Sequence, residues 1–94
     1  MKDIDAEGLY RGAIEKWGVT AQLDMVVEEA AELIKAIQKW KRNPVDREGI
    51  AEEAADLEIM LGQLKYMIGG WGAHRMVKLL RLKERLDFTG EPLE

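Results

Sequence analysis

Cysteine is absent from this chain, which excludes a disulfide framework, a thiolate metal site and a cysteine nucleophile. Proline occurs only as Pro44 and Pro92, so nothing interrupts the long stretches on either side of Pro44. Aromatic residues make up 6% of the chain, and threonine and valine are sparse, leaving few of the residues that favour strands. The single histidine, His74, reads as a surface residue, and no Ser/His/Asp arrangement is available for covalent catalysis. Basic residues do not outnumber acids: 14 Lys and Arg stand against 18 Asp and Glu, a formal charge of −4. That balance argues against a general nucleic-acid binder, which needs a basic surface to displace counterions, and against a polybasic membrane-surface protein. No apolar run approaches the length of a membrane span, and Met1 to Asp5 lacks the cationic-then-apolar pattern of a signal peptide. A soluble, cytoplasmic protein is expected.

The residues that are abundant set the fold. Ala, Leu, Glu, Lys, Gln, Arg and Met dominate, all good helix formers. Ninety-four residues with 47% hydrophobic content suit one domain over 1–94, though a core so small is marginal without a partner. A first helix is expected from Asp3 or Asp5 to Lys16, stopped by Gly18. Thr20 is expected to cap a second helix whose stripe of Leu23, Val26, Val27, Ala30, Leu33, Ile34 and Ile37 ends in Lys39, Lys41 and Arg42 before Asn43-Pro44. Asp46 is expected to cap a third, with Ile50, Ala54, Leu57, Leu61, Leu64 and Ile68 apolar and Gly69-Gly70 as its stop. A fourth runs from about Ala73 to Leu86, and the chain from about 88 reads as a loose tail. The expected fold class is all-α, a four-helix bundle-like protomer with short connections.

Acids lie where these helices should be apolar. Glu29 and Glu32 border the stripe of the second helix, and Glu53 and Asp56 border that of the third. Each pair is spaced i, i+3, which puts both side chains on one face. Antiparallel packing of the two helices would gather four carboxylates, whose repulsion and desolvation must be relieved by protons or cations. All-oxygen ligation suits Mg²⁺ or Mn²⁺, and magnesium commonly bridges carboxylates and substrate phosphates. The plain alternative is a pair of solvated helix faces in a Glu-rich chain, and spacing alone leaves the two readings level.

The run Glu28-Glu29-Ala30-Ala31-Glu32-Leu33, followed after a helix break by Glu53-Ala54-Ala55-Asp56, resembles the EExxE…ExxD signature of MazG-like nucleotide pyrophosphohydrolases, of the all-α NTP pyrophosphohydrolase superfamily. Trp17-Gly18, Gln22 and the segment from Lys78-Leu79 to Arg85-Leu86 are similar to small single-domain members, so the resemblance covers about Ile14 to Leu86. It implies Mg²⁺-dependent cleavage of the α–β bond of nucleoside triphosphates, with Glu29, Glu32, Glu53 and Asp56 as metal ligands. Glu28 is a weaker candidate, for positioning water. The resemblance also implies a homodimer or a dimer of dimers. Phosphoribosyl-ATP or dUTP-type hydrolysis is the alternative within the superfamily, and a non-catalytic helical dimerisation module the alternative outside it.

The other polar residues are read against that scheme. Lys78 and Arg81, on a fourth helix that holds five cations against Glu84 alone, match positions resembling the family's phosphate-contacting cations. Trp17 is the candidate for stacking on a base and Gln22 for reading its edge, ahead of Trp40 and Trp71. Met60 and Met67 read as packing residues, and Lys39, Lys41 and Arg42 as solvated.

Overall fold

A computed structural model describes residues 3–45 and 47–88. They form four α-helices and no strand: α1 (Ala6–Trp17), α2 (Val19–Arg42), α3 (Arg47–Ile68) and α4 (Gly72–Phe88). Among the described residues no helix is long and apolar enough to cross a membrane.

The helix boundaries follow local chemistry. Asp5 caps α1, its side chain accepting a hydrogen bond of 3.0 Å from the Gly8 N–H, one of the donors that the first turn leaves free. Gly18, at φ 93°, turns the chain between α1 and α2 within a single residue. That turn also corrects one expectation. Thr20 does not cap α2; Gly18 holds the cap position, and Thr20 lies inside the first turn. The early start follows from Gly18, whose backbone bends sharply enough for helix to resume at Val19. Cations Lys39, Lys41 and Arg42 close α2 as expected for its dipole. Gly69 and Gly70, both at positive φ, end α3. The Asp46 cap and the tail after Phe88 lie outside the described residues; Phe88 itself belongs to α4.

α2 and α3 pack along most of their length, and α1 lies across both. The close approach of α1 to α3 depends on Gly62: a Cβ there would fall inside the Tyr10 ring, 2.7 Å from Cζ. Beside it, the Arg11 guanidinium sits 5.4 Å over the Tyr66 ring. The centre of this three-helix unit is thin. Met60 is the one buried hydrophobic residue among those described, joined by two buried amides, Gln22 and Gln63, each 5% exposed.

The fourth helix departs from the bundle expected of the sequence. α4 packs on none of α1, α2 or α3, and Met76, Val77, Leu79, Leu80 and Leu82 remain exposed on it. The physical reason is the Gly69-Gly70 turn, which directs the chain away from the unit, with Trp71 held beside it under the Lys65 ammonium at 5.4 Å. At 100° per residue, Met76, Leu79 and Leu80 share one face of α4, and Lys78, Arg81 and Arg85 share the opposite one.

Candidate metal centre

The short connection between α2 and α3 makes them antiparallel neighbours, and their register brings the acids together. Glu29 from α2 and Glu53 and Asp56 from α3 each offer a carboxylate oxygen, and these three atoms all lie within 4.8 Å of one another. Glu29 and Glu53 are half-buried, and Asp56 is exposed. Glu32 stands outside this closest set but lines one groove together with Glu53. Glu28 points outward and is exposed. Beside the acids, Ala30 is half-buried and Ala54 exposed.

Electrostatics mark the cluster as unrelieved. Partial burial, and after it the charges of Asp56, Glu53, Glu32 and Glu28, push the Glu29 carboxyl above its ordinary value. Glu53 is raised in the same way, first by burial and then by Asp56, Glu32 and Glu52. Both groups thus hold a proton more tightly than a free carboxylate does. Hard oxygen donors at this spacing fit a small divalent cation such as Mg²⁺ or Mn²⁺. Glu29, Glu53 and Asp56 would hold it, with Glu32 one turn away.

Beyond the acids, the same groove continues toward the α2–α3 turn. It encloses about 180 Å³ and is lined by Lys35, Lys39, Trp40, Asn43 and Ile50 as well as by Glu32 and Glu53. Lys35 and Lys39 recur at i, i+4 on α2, one face of that helix. They are the cations that the protomer itself places beside the acids. Lys39 is exposed, as its sequence context predicts, and its distance of seven residues from Glu32 puts it two turns on along the same face.

The remaining candidates divide. Lys78 and Arg81 sit with Glu84 and Arg85 on the cationic face of α4, which does not reach the cluster within one protomer. Trp17 is 59% exposed at the end of α1, with the Lys16 ammonium 5.3 Å over its ring. Gln22 is buried two turns before Glu29. Trp71 is half-buried and His74 exposed. Gln63, which sequence reading passed over, is buried two turns after Asp56. Comparison with protein-family models, with curated proteins and with solved structures finds no match for the chain.

Proposed function

We propose that this protein is a Mg²⁺-dependent nucleoside triphosphate pyrophosphohydrolase, releasing a nucleoside monophosphate and pyrophosphate. The observation that carries the reading is the convergence of Glu29, Glu53 and Asp56 across the α2–α3 seam, beside a groove that also presents Lys35 and Lys39. Glu29 and Glu53, half-buried beside Asp56, are raised in pKa by burial and by the neighbouring carboxylates, which disfavours their charged form when no cation is bound. A bound divalent ion would supply neutralisation of the phosphate charge and a lowered pKa for the attacking water.

The chain's own residues then do the following. Glu29, Glu53 and Asp56 would hold the ion, and Glu32 stands near them as an acceptor for a water proton. Lys35 and Lys39 bind the departing β- and γ-phosphates through charge-assisted hydrogen bonds. In the reaction, water oxygen bonds to the α-phosphorus while the bond from that phosphorus to the oxygen bridging to the β-phosphate breaks, so pyrophosphate leaves carrying the bridging oxygen and the bond's electron pair. The water's proton passes to a carboxylate and then to solvent.

A homodimer accompanies this reading, on the strength of α4's exposed apolar stripe and of a core centred on one buried methionine. Paired copies would also give the Lys78 and Arg81 face a route to a neighbour's acids. The exposure of Asp56 favours a second reading, a helical dimerisation module whose acids are solvated.

One experiment separates them. Pyrophosphate release from a panel of nucleoside triphosphates is followed with and without Mg²⁺, for the wild type and for Glu53→Ala. Release that requires both Mg²⁺ and Glu53 is expected of the hydrolase. No release from any triphosphate, together with a melting temperature indifferent to millimolar Mg²⁺, is expected of the module.

A further inference from the structure

The α2–α3 seam does not end at the acids. Its antiparallel register sets Glu32 near Glu53 and Glu29 near Asp56. Carried two turns further, it sets Met25 opposite Met60 and Gln22 opposite Gln63. Seven residues separate Asp56 from Gln63, so both lie on one face of α3, about 10 Å apart along its axis. Beside Gln63 opens a groove of about 630 Å³ between α1 and α3, lined by Leu9, Ala13, Trp17 and Ile59. Gln63 is the polar side chain in the α3 wall of that groove. It is 95% buried, and its Oε1 makes no hydrogen bond.

Buried acceptors in folded proteins are almost always paired, and an unpaired one calls for an explanation. We propose that Gln63 reads the base of the nucleotide, its Oε1 accepting a hydrogen bond from an N–H edge of a nucleobase seated in the α1–α3 groove. The proposal rests on the pyrophosphohydrolase reading and gives that site its polarity. Phosphates lie toward Lys35 and Lys39 at one end of the seam, and the base toward Trp17 and Gln63 at the other. Oε1 is itself buried, so accepting from a base requires the terminal amide to turn toward the groove, about a torsion that in glutamine is broad and soft. Trp17 stands exposed at the mouth of the groove, as a stacking platform requires. Gly12 keeps the α1 wall low: a Cβ built there meets nothing within 4 Å. A mainly apolar slot with an amide in its α3 wall, and Tyr10 and Lys16 on the α1 side, suits a flat ring with a polar edge.

The test uses Trp17 as the reporter, in the full chain carrying Trp40→Phe and Trp71→Phe. Nucleoside monophosphates are titrated in Mg²⁺ while tryptophan fluorescence is recorded, with ribose 5-phosphate as the control that lacks a base. Nucleotides are expected to quench Trp17 and ribose 5-phosphate to leave it unchanged. Gln63→Leu, which removes a buried polar group and so folds, is expected to weaken nucleotide binding about tenfold. The Mg²⁺-induced rise in melting temperature should stay as in the parent. Gly12→Leu, which fills the groove from the other wall, is expected to abolish the quench. Unchanged affinity in both variants overturns the proposal. So does a change in sedimentation mass in either one, because the groove is then a contact between copies. Cleavage of triphosphates with kcat/KM indifferent to Gln63→Leu removes the base site and leaves the hydrolase. Binding that depends on Gln63, without cleavage of any triphosphate, removes the hydrolase and leaves the base site.

Discussion

The α2–α3 seam and α4 are both charged, amphipathic helical surfaces of one small chain, and they use charge in opposite ways. On α4 the cations Lys78, Arg81 and Arg85 occupy the face opposite Met76, Leu79 and Leu80, the ordinary division of an amphipathic helix. In the seam the acids are on the wrong side of that division. Glu29 and Glu53 are half-buried against each other, and each is pushed upward in pKa by burial and by the neighbouring carboxylates. The count of charges distinguishes the two regions less than their position relative to the apolar stripe. Charge opposite the stripe needs only water; charge at its edge needs a counterion. On the reading proposed above, the seam serves a small ligand and α4, whose stripe is bare, serves a second copy of the chain.

The largest effect should come from breaking the seam. Glu53→Gln keeps the shape of the side chain and removes one charge from the cluster. Pyrophosphate release should fall by at least about 10²-fold, and the Mg²⁺-induced rise in melting temperature should vanish. Glu28→Gln, on the outward face of the same helix pair, should change either measurement far less. Next in size is the corresponding break in α4. Leu80→Asp puts a charge into the exposed apolar stripe and should weaken self-association by about 10²-fold or more, read by sedimentation at micromolar concentration. It should leave Mg²⁺ binding at the seam in place, because α4 packs on none of the helices that carry the acids.

Much of this contrast was legible in the sequence, for reasons that differ by element. Asp5, Gly18 and Gly69-Gly70 act within a turn of their own position, so the ends of α1 and α3 followed from short-range rules. Thr20 was misread because a Thr near a helix start competes with a Gly that lets the helix begin earlier. The convergence of Glu29, Glu53 and Asp56 follows from i, i+3 spacing and one short antiparallel connection, both visible in the chain. Gln63 was invisible because an amide in a helix reads as solvated until other helices are packed around it. The detachment of α4 was invisible too, since its periodic leucines look the same whether they cover their own core or another copy's.

A third comparison turns on pH and needs no enzymology. Glu29 and Glu53 have folded-state pKa values above their unfolded values, so the folded protein holds their protons more tightly. Their contribution to stability is therefore most favourable below the ordinary carboxylate range, and it is lost as pH rises through the raised values. In metal-free buffer the melting temperature of Glu53→Gln relative to wild type should accordingly rise between pH 4 and pH 7. Millimolar Mg²⁺ should erase that difference at pH 7 and should do less at pH 5, where protons compete for the same oxygens. A difference that stays flat across pH would mean that the acids are solvated and uncoupled.

The smallest expected effect concerns the cations that the protomer itself supplies, and it sharpens which region serves the substrate. Lys35 and Lys39 line the groove with Glu32 and Glu53, whereas Lys78 and Arg81 lie on α4 away from it. Lys39→Met keeps the aliphatic stem, which lines the groove with Trp40 and Ile50, and removes only the ammonium. Because the group is flexible and partly solvated, the loss should be several-fold in kcat/KM, carried mainly by KM. Lys78→Met tested alongside decides between the regions. If it has no effect, the phosphate cations come from α2; if its effect exceeds that of Lys39→Met and disappears in the Leu80→Asp monomer, α4 serves the seam of a second copy.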